Sequence, residues 1–233
     1  MRTSGLFLLM LFASIFLYAQ KNVATKSWAI TLTPSIIPLP GNQQIGIQTG
    51  MTYQFKPRLE ALAGMTFNAG RRNDKDTMQV SYLDKKYFRI SAELRYYSSK
   101  DSSGQGAYIG LLLSYTGRNF VSKYRYYYDH LPGDSVIYFD RSKINSPIAT
   151  ISIQFGAKLQ ISKSFQSDWF LGLGGRGINT EYTGVLNPRQ SEKFQPTGGF
   201  RISWPDPAYY HPDFVYKLHI NLGVRLFYVF HRS

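Results

Sequence analysis

Over residues 87–97, charged residues alternate with apolar ones, and Arg89, Glu93 and Arg95 fall on the same side of the alternation. Residues two apart face the same side of a β-strand, so these three side chains share one face. If that face lies inside a folded chain, its charges must pair, because an unpaired buried charge is costly. Similar stretches supply six more residues of this kind. The predicted interior polar network comprises Glu60, Arg89, Glu93, Arg95, Lys158, Arg176, Lys217, His219 and Arg225.

Two short motifs match ligand-binding loops but lack the structural context that the chemistry needs. Residues 172–177 have the G-x-G-x-x-G spacing of a dinucleotide-binding turn, yet the residues that follow are not helical and no βαβ unit is present. Asp74 and Asp76 could begin a calcium loop, but the central glycine is missing and Lys85 stands where the closing glutamate belongs. The chain has no cysteine, which excludes thiolate sites. We therefore expect no cofactor and no metal.

Residues 214–230, near the end of the chain, indicate which kind of element carries the charged residues. Every second residue, beginning with Phe214 and ending with Phe230, is apolar or aromatic, and most residues between them are polar, charged or glycine. This period-two alternation is typical of a β-strand with one apolar and one polar face. The stretch is far longer than an ordinary strand of about 5–6 residues. A tilted membrane-spanning strand needs roughly 9–11 residues, so a transmembrane strand is predicted.

Seven other stretches alternate in the same way, which predicts an all-β fold: one eight-stranded antiparallel up-and-down transmembrane β-barrel over residues 20–233. Short connections follow the second, fourth and sixth strands and long ones follow the third, fifth and seventh, as with periplasmic turns and extracellular loops. Pro34 predicts a bend or an end in the first strand. Strand-like runs around residues 131–134 predict a β-hairpin that continues the wall. The predicted strands are residues 26–36, 43–55, 59–69, 87–97, 106–116, 148–161, 169–179 and 214–230.

Alternation alone does not determine which face is outside. In a soluble eight-stranded barrel the apolar face would point inward and hold a hydrophobic ligand. Long strands, a glycine-rich polar face and 18 Tyr with 16 Phe favour the membrane, since transmembrane barrels carry aromatic girdles. Eight strands leave an interior just wide enough for side chains, so a filled interior is favoured over a porin-like, ion-lined pore.

Residues 1–19 have the features of a secretory signal peptide: Arg2 precedes an apolar run at 6–17, and the small residue Ala19 precedes Gln20. This predicts export and an outer-membrane localisation. The net charge of +13 is dispersed, without a run of five Lys or Arg, so no nucleic-acid partner is expected. The expected partners are outer-membrane lipid, the barrel-insertion machinery and an unknown extracellular or envelope component.

Residues 87–97, followed after a Ser- and Gly-rich turn by residues 106–111, resemble the central hairpin of small Gram-negative outer-membrane β-barrel proteins. The type is the OmpA/OmpX-like eight-stranded barrel, including its barrels of unknown function. The resemblance covers about residues 26–231 and lies in the pattern, without a catalytic motif. It implies a C-terminal targeting strand with a terminal aromatic residue. Tyr228 and Phe230 fit that register, although three residues follow Phe230.

Two membrane enzymes share this architecture, and their residue patterns are incomplete in this chain. The lipid A deacylase uses a His-x-Ser pair, whereas Asn221 stands where the serine would be. The lipid A palmitoyltransferase uses His, Asp and Ser near the outer mouth. Asp129 and His130, with Ser122 or Ser135, supply those types without a specific spacing. We expect no enzyme activity, with lipid modification as the alternative.

The long connection after the fifth predicted strand is rich in tyrosine, which offers contact area at low entropy cost. These residues either bind a partner or merely cap the barrel. The predicted function is therefore that of an integral outer-membrane barrel with a structural or surface-binding role, such as envelope integrity, adhesion or docking of an envelope component. The candidate binding residues in this loop are Tyr124, Arg125, Tyr126, Tyr127 and Tyr128.

Overall fold

The computed structural model describes residues 27–39, 42–67, 82–98, 106–128, 136–191 and 212–230, and these residues form ten β-strands. The predicted signal peptide lies outside the described residues. No helix that is long and apolar enough to cross a membrane occurs in the described part of the chain. The strands are β1 (Ser27–Leu39), β2 (Asn42–Lys56), β3 (Leu59–Phe67), β4 (Tyr82–Tyr97), β5 (Gly106–Tyr128), β6 (Val136–Asn145), β7 (Ile148–Gln160), β8 (Phe165–Leu186), β9 (Arg189–Ser191) and β10 (Asp213–Phe230).

Eight of these strands close into a ring in the order β1-β2-β3-β4-β5-β7-β8-β10. Closure comes from β10, which pairs with β8 on one side and with β1 on the other. All pairings in the ring are antiparallel, and its strands run up and down in chain order. The predicted all-β, eight-stranded, antiparallel up-and-down arrangement is therefore confirmed. We call the end near Pro57 and residues 161–164 the turn side and the opposite end the loop side.

The two remaining strands, β6 and β9, extend the wall on the loop side. β6 and β7 succeed each other in one position of the ring, because both lie between β5 and β8. The predicted hairpin is present, and its pairing reaches Tyr128 opposite Val136. The fifth predicted strand was too short, because β6 gives β5 a pairing partner well beyond residue 116. The seventh was too short for the same reason, since β6 also pairs with β8 as far as Leu186.

β1 does not end at Pro34, although an end there is one of the two outcomes expected from the sequence. β1 continues past it in register with β2, with Pro34 opposite Ile47. On its other side, β1 pairs with β10 only from Trp28 to Leu32. Proline lacks a backbone N–H and is tolerated where a strand has an unpaired side. Pro34 lies beyond the last β1–β10 pair, so no ladder hydrogen bond to β10 is lost there.

The ring has a polar inside and an apolar outside. Among the described residues, most buried side chains are polar or charged, whereas large hydrophobic side chains on every ring strand are exposed. We call these outward residues the apolar belt. Its turn-side edge carries the aromatic residues Trp28, Tyr96, Phe165, Tyr228 and Phe230. Its central members include Ile30, Met51, Ile90, Leu94, Leu111, Ile151, Ile153, Leu171, Leu173, Ile220 and Leu222.

Gly174 marks a point where two strands lie too close for a larger residue. A Cβ at this position would lie 2.0 Å from the carbonyl oxygen of Ile151 and 2.5 Å from the Cα of Ser152. Both are backbone atoms of β7, so the sheet itself would have to move. We expect Gly174→Ala to lower the free energy of unfolding by about 1–3 kcal/mol, the usual cost of overpacking. Urea titration of the protein folded in detergent micelles measures this change.

Gly110→Ala is the matched control, because Gly110 also faces inward from a ring strand. Its Cβ would lie 3.1 Å from the carbonyl oxygen of Leu94, which a small adjustment relieves. The expected cost is therefore smaller than at Gly174. An equal or larger cost at Gly110 would show that β7 and β8 are not held as closely as the structure indicates.

Candidate functional site

The inward charges of the turn side are brought together by strand register. Glu60 of β3 lies opposite Arg95 of β4. Asp168 of β8 lies opposite Lys158 of β7 on one side and opposite Arg225 of β10 on the other. Each neighbouring pair therefore joins opposite charges. With Glu93 of β4, they form a single group, which we call the ion cluster: Glu60, Glu93, Arg95, Lys158, Asp168 and Arg225.

Arg95 is the centre of the ion cluster and is fully buried. Its Nε donates to Glu93 at 2.8 Å, one terminal nitrogen donates to Asp168 at 2.8 Å, and the other reaches Glu60 at 3.4 Å. The planar guanidinium group offers donors in several fixed directions, which a lysine ammonium does not. One side chain thereby joins carboxylates of its own strand β4, of the neighbouring strand β3 and of the distant strand β8.

The other two cations complete the charge balance. Lys158 donates to Glu60 at 2.7 Å. Arg225 lies 2.8 Å from Glu93 and 3.3 Å from Asp168. The three carboxylates and three cations thus neutralise one another, as burial requires.

Aromatic side chains enclose the ion cluster and supply further hydrogen bonds. Tyr97 donates its hydroxyl to Glu60, and Tyr108 donates to Asp168 at 2.9 Å. The guanidinium carbon of Arg95 lies 4.4 Å from the centre of the Tyr108 ring. Phe227 is fully buried, and the Lys158 ammonium lies 4.3 Å from its ring centre. Cations over aromatic faces are favourable, so these rings stabilise the charges as well as exclude water.

Asp168 was missed by the sequence analysis, which assigned it to a turn at residues 162–168. The structure places it in β8, fully buried and bonded to Arg95 and Tyr108. The turn is shorter than predicted and occupies residues 161–164. The alternation itself could have identified Asp168. It lies two residues before Phe170 and therefore faces the interior together with Phe170, Gly172 and Gly174.

A layer of neutral polar side chains lies next to the ion cluster toward the loop side. The Gln154 amide donates to Ser152 at 2.8 Å and to Asn221 at 3.3 Å. On the opposite wall, Gln48 donates to Ser91 at 2.6 Å. The interior therefore continues as a polar, hydrogen-bonded core above the ion cluster.

The remaining four members of the predicted network lie apart from the carboxylates. Arg89, Arg176, Lys217 and His219 are half-buried on the loop side. Lys217 lies opposite Arg176 in the β8–β10 register. Arg89 donates a hydrogen bond to Ser114 of β5 at 3.3 Å, and Ser114, Thr150 and Arg176 lie opposite one another on successive strands. His219 lies opposite Gly174, two residues from Arg176 on β8. We call Arg89, Arg176 and His219 the basic group. The nine predicted residues thus divide into two sets, and five of them belong to the ion cluster.

The predicted targeting residues lie on the outside of the ring. Tyr228 and Phe230 are exposed, and their ring centres are 5.2 Å apart in an edge-to-face arrangement. Both belong to the aromatic edge of the apolar belt. The predicted loop-binding residues lie in the last part of β5, and the side chains of residues 124–128 are outside the described part.

The residues considered for enzyme chemistry do not form a described site. Ser122 is buried within β5, while Asp129, His130 and Ser135 lie outside the described residues. Asn221 accepts a hydrogen bond from Gln154 within the neutral layer. Within the described ranges, no group of three or more His, Asp or Glu side chains is arranged to hold a metal ion.

A polar contact on the surface joins β9 to the hairpin formed by β5 and β6. Asp140 of β6 accepts a hydrogen bond from Asn187 at 2.7 Å and forms an ion pair with Arg189. The hydrogen bond from Asn187 lowers the pKa of Asp140, and the charge of Arg189 adds to this effect. Asn187 has a φ of 51°, a left-handed conformation that asparagine tolerates.

We expect Asp140→Ala to loosen β9 from β6 and to expose this part of the hairpin to proteases. The measure is the rate of limited proteolysis at neutral pH, with fragments identified by mass spectrometry. Thr183→Ala is the control, because it also removes a polar contact of the β6–β8 wall but leaves the three surface residues intact. Unchanged cleavage in Asp140→Ala would mean that backbone pairing alone holds β9.

Neither a scan against protein-family models nor a search of curated proteins finds a match for this sequence. Among solved structures, the chain is similar to a major outer membrane protein from Thermus thermophilus. The identity is 11%, the match covers 88% of this chain and 100% of that chain, and the TM-score is 0.38. A likeness at that score supports no inference about function, so the function proposed below depends on this chain's own residues.

Proposed function

We propose that this chain is an integral outer-membrane β-barrel with a structural or surface-binding role. The observation that carries the proposal is the apolar belt around a closed ring whose inside is polar. Monomeric soluble proteins rarely expose a contiguous apolar surface larger than a few hundred Å². A hydrocarbon environment removes this difficulty, because the belt then contacts lipid and closure of the ring leaves few backbone groups unpaired.

The distribution of side chains disfavours a soluble carrier of a hydrophobic ligand. Such a carrier needs an apolar cavity, whereas the inside of this ring holds the ion cluster and the neutral polar layer. The exposed side chains Ile153 and Leu171 would also have to face water on the outside. Both faces therefore fit a membrane better than water.

A filled interior is proposed in preference to a porin-like pore. Arg95 and Asp168 are fully buried, and the ion cluster spans the interior from β3 and β4 to β7, β8 and β10. An eight-stranded ring has room for side chains but little beyond them. The eight strands and filled interior agree with the proposed OmpA/OmpX-like type. The proposed role is therefore structural or surface-binding, without conduction through a pore.

The loop side provides the surface for the binding role. There β5 continues as part of a paired hairpin with β6, and β9 adds a third strand to its edge. A paired extension of this kind can offer the tyrosine-rich stretch of residues 124–128 to a partner. The proposed partners are outer-membrane lipid, the barrel-insertion machinery and an extracellular or envelope component, with no nucleic acid.

The second candidate, a lipid-modifying enzyme, lacks a supporting observation among the described residues. Deletion of the protein followed by mass spectrometry of lipid A separates the two functions. The structural or binding role predicts an unchanged acylation pattern together with altered envelope sensitivity to detergent or altered adhesion. A changed acylation pattern that is restored by the intact protein would establish the enzyme instead.

Fractionation of cells tests the localisation. We expect recovery in the outer-membrane fraction and resistance to extraction with alkaline carbonate, which releases peripheral proteins. Release from intact cells by osmotic shock would place the protein in the periplasm and would contradict the proposed function.

A further inference from the structure

The ring is incompletely paired on its loop side, between β1 and β10. The two strands pair only from Trp28 opposite Phe230 to Leu32 opposite Leu226. Beyond that point β1 continues along β2 and β10 along β8, and the described residues contain no further β1–β10 pair. We call this part of the wall the side opening.

Side-chain exposure changes along β10 where the side opening begins. Leu218 and Leu222, which have no β1 residue opposite them, are 73% and 78% exposed, the highest values among the large outward hydrophobic residues described. Leu226, which is paired with β1, is 47% exposed. The inward side chains change too, from fully buried Phe227 to half-buried His219. The side opening therefore makes β10 accessible on both faces.

The basic group lies inside the ring, and His219 belongs to the strand that borders the side opening. Three buried nitrogen atoms of the group have no hydrogen-bond partner among the described atoms: Nε of Arg89, Nε of Arg176 and Nε2 of His219. The buried carboxylates of the described chain all belong to the ion cluster. The loop-side interior thus holds positive charge and unused donors without a described acidic partner.

We propose that the side opening and the basic group form a binding site for a phosphate-bearing lipid, an inference that rests on the proposed membrane location. The phosphate lies against Arg89, Arg176 and His219, and the acyl chains lie along the exposed apolar edge of β10. A strand edge in the hydrocarbon region is tolerated only where it is covered by protein or borders a water-filled cavity. A polar headgroup in the opening meets the same requirement.

Charge and geometry favour phosphate over a carboxylate. Guanidinium groups bind phosphate oxygens with two parallel hydrogen bonds, and a phosphate monoester brings close to two negative charges. Arg89 and Arg176 together balance that charge, whereas a carboxylate would leave one cation uncompensated. The apolar side chains of Leu218 and Leu222 beside the opening favour a lipid over a free phosphate ion.

The test uses the full chain folded in micelles of an uncharged maltoside detergent, with the thermal unfolding midpoint as readout. Dioleoyl phosphatidic acid, dioleoylglycerol and inorganic phosphate are titrated separately. We expect a saturable rise in the midpoint with phosphatidic acid and none with dioleoylglycerol, which has the same acyl chains. An equal rise with inorganic phosphate would overturn the lipid as occupant, because the chains would then contribute nothing.

Arg176→Gln is the decisive variant. Without lipid, its midpoint is expected to be equal to or higher than that of the wild type, because Arg176 faces Lys217 across the β8–β10 register. Its affinity for phosphatidic acid is expected to fall about tenfold or more, since the variant loses a charge-assisted hydrogen bond to the phosphate. Arg141→Gln, at an exposed position on β6, is the control and should bind like the wild type.

Equal affinity in Arg176→Gln and wild type, or the absence of any saturable rise, would overturn the site. Gel mobility before and after boiling is recorded for every sample. A wild-type protein that binds no lipid but migrates as a folded barrel refutes the lipid site alone. A protein that never shows the folded form refutes the proposed membrane barrel.

Discussion

Replacing Arg95 with methionine is expected to lower the free energy of unfolding by about 3–5 kcal/mol, the usual cost of removing one partner from a buried ion pair. Arg95 is fully buried and contacts three carboxylates, so its loss leaves Glu60, Glu93 and Asp168 with too few cations. Methionine fills much of the same volume, so that the lost interactions rather than a cavity dominate. Urea titration in detergent micelles, followed by tryptophan fluorescence, measures the change.

Arg141→Met provides the matched control, because Arg141 is an exposed arginine on β6. Its effect should stay within about 0.5 kcal/mol, as for most surface substitutions. Adding Asp168→Asn to Arg95→Met should recover part of the loss, because two carboxylates, Glu60 and Glu93, then face two cations, Lys158 and Arg225. A destabilisation by Arg95→Met no larger than the control would show that the ion cluster does not hold the ring together.

Replacing Ile153 with arginine is expected to destabilise the folded protein in a lipid bilayer by about 2–4 kcal/mol, the cost of a cation on the lipid face near the midplane. Ile153 is 47% exposed and lies in the middle of the apolar belt on β7. In water the same substitution would cost far less, because the guanidinium group at this exposed position would stay hydrated. The measurement is equilibrium folding into phosphatidylcholine vesicles at a series of urea concentrations.

Ile161→Arg tests the same change at the edge of the belt. Ile161 follows β7 at the turn side, faces outward and is 62% exposed. The cost there should fall to about 0–1 kcal/mol, because the charge reaches the headgroup region. Equal and small effects at both positions would contradict a membrane-spanning ring.

The fold could be predicted from sequence because alternation reports which side of a strand is buried without any knowledge of its neighbours. The inward position of Arg95 and the outward position of Ile153 both follow from this rule. The ends of β5 and β8 did not follow, because the hairpin that contains β6 was predicted as part of a connection, separate from the fifth and seventh predicted strands with which β6 pairs. Pairing between distant segments leaves no mark in the local pattern.

The division of the charges into two sets could not be predicted for a related reason. Alternation predicts that Arg89 and Arg95 share the inner face of β4. It does not show that residues six positions apart lie at different heights in the ring and meet different partners. Which inward residues meet depends on the stagger between neighbouring strands, as when β8 brings Asp168 beside Arg225. The side opening could not be predicted from the sequence either, because it depends on where the pairing between β1 and β10 ends.

The most direct test of the membrane barrel is the mobility of the protein from the outer-membrane fraction on a denaturing gel, before and after boiling. A closed ring that is held by the ion cluster and surrounded by lipid should resist detergent at room temperature. We therefore predict a faster, compact form in the unboiled sample that converts to the full-length position of 26.7 kDa, or slightly less if the signal peptide is removed, after boiling. A single band of the same mobility in both samples, with the protein recovered in the soluble fraction, would contradict the account.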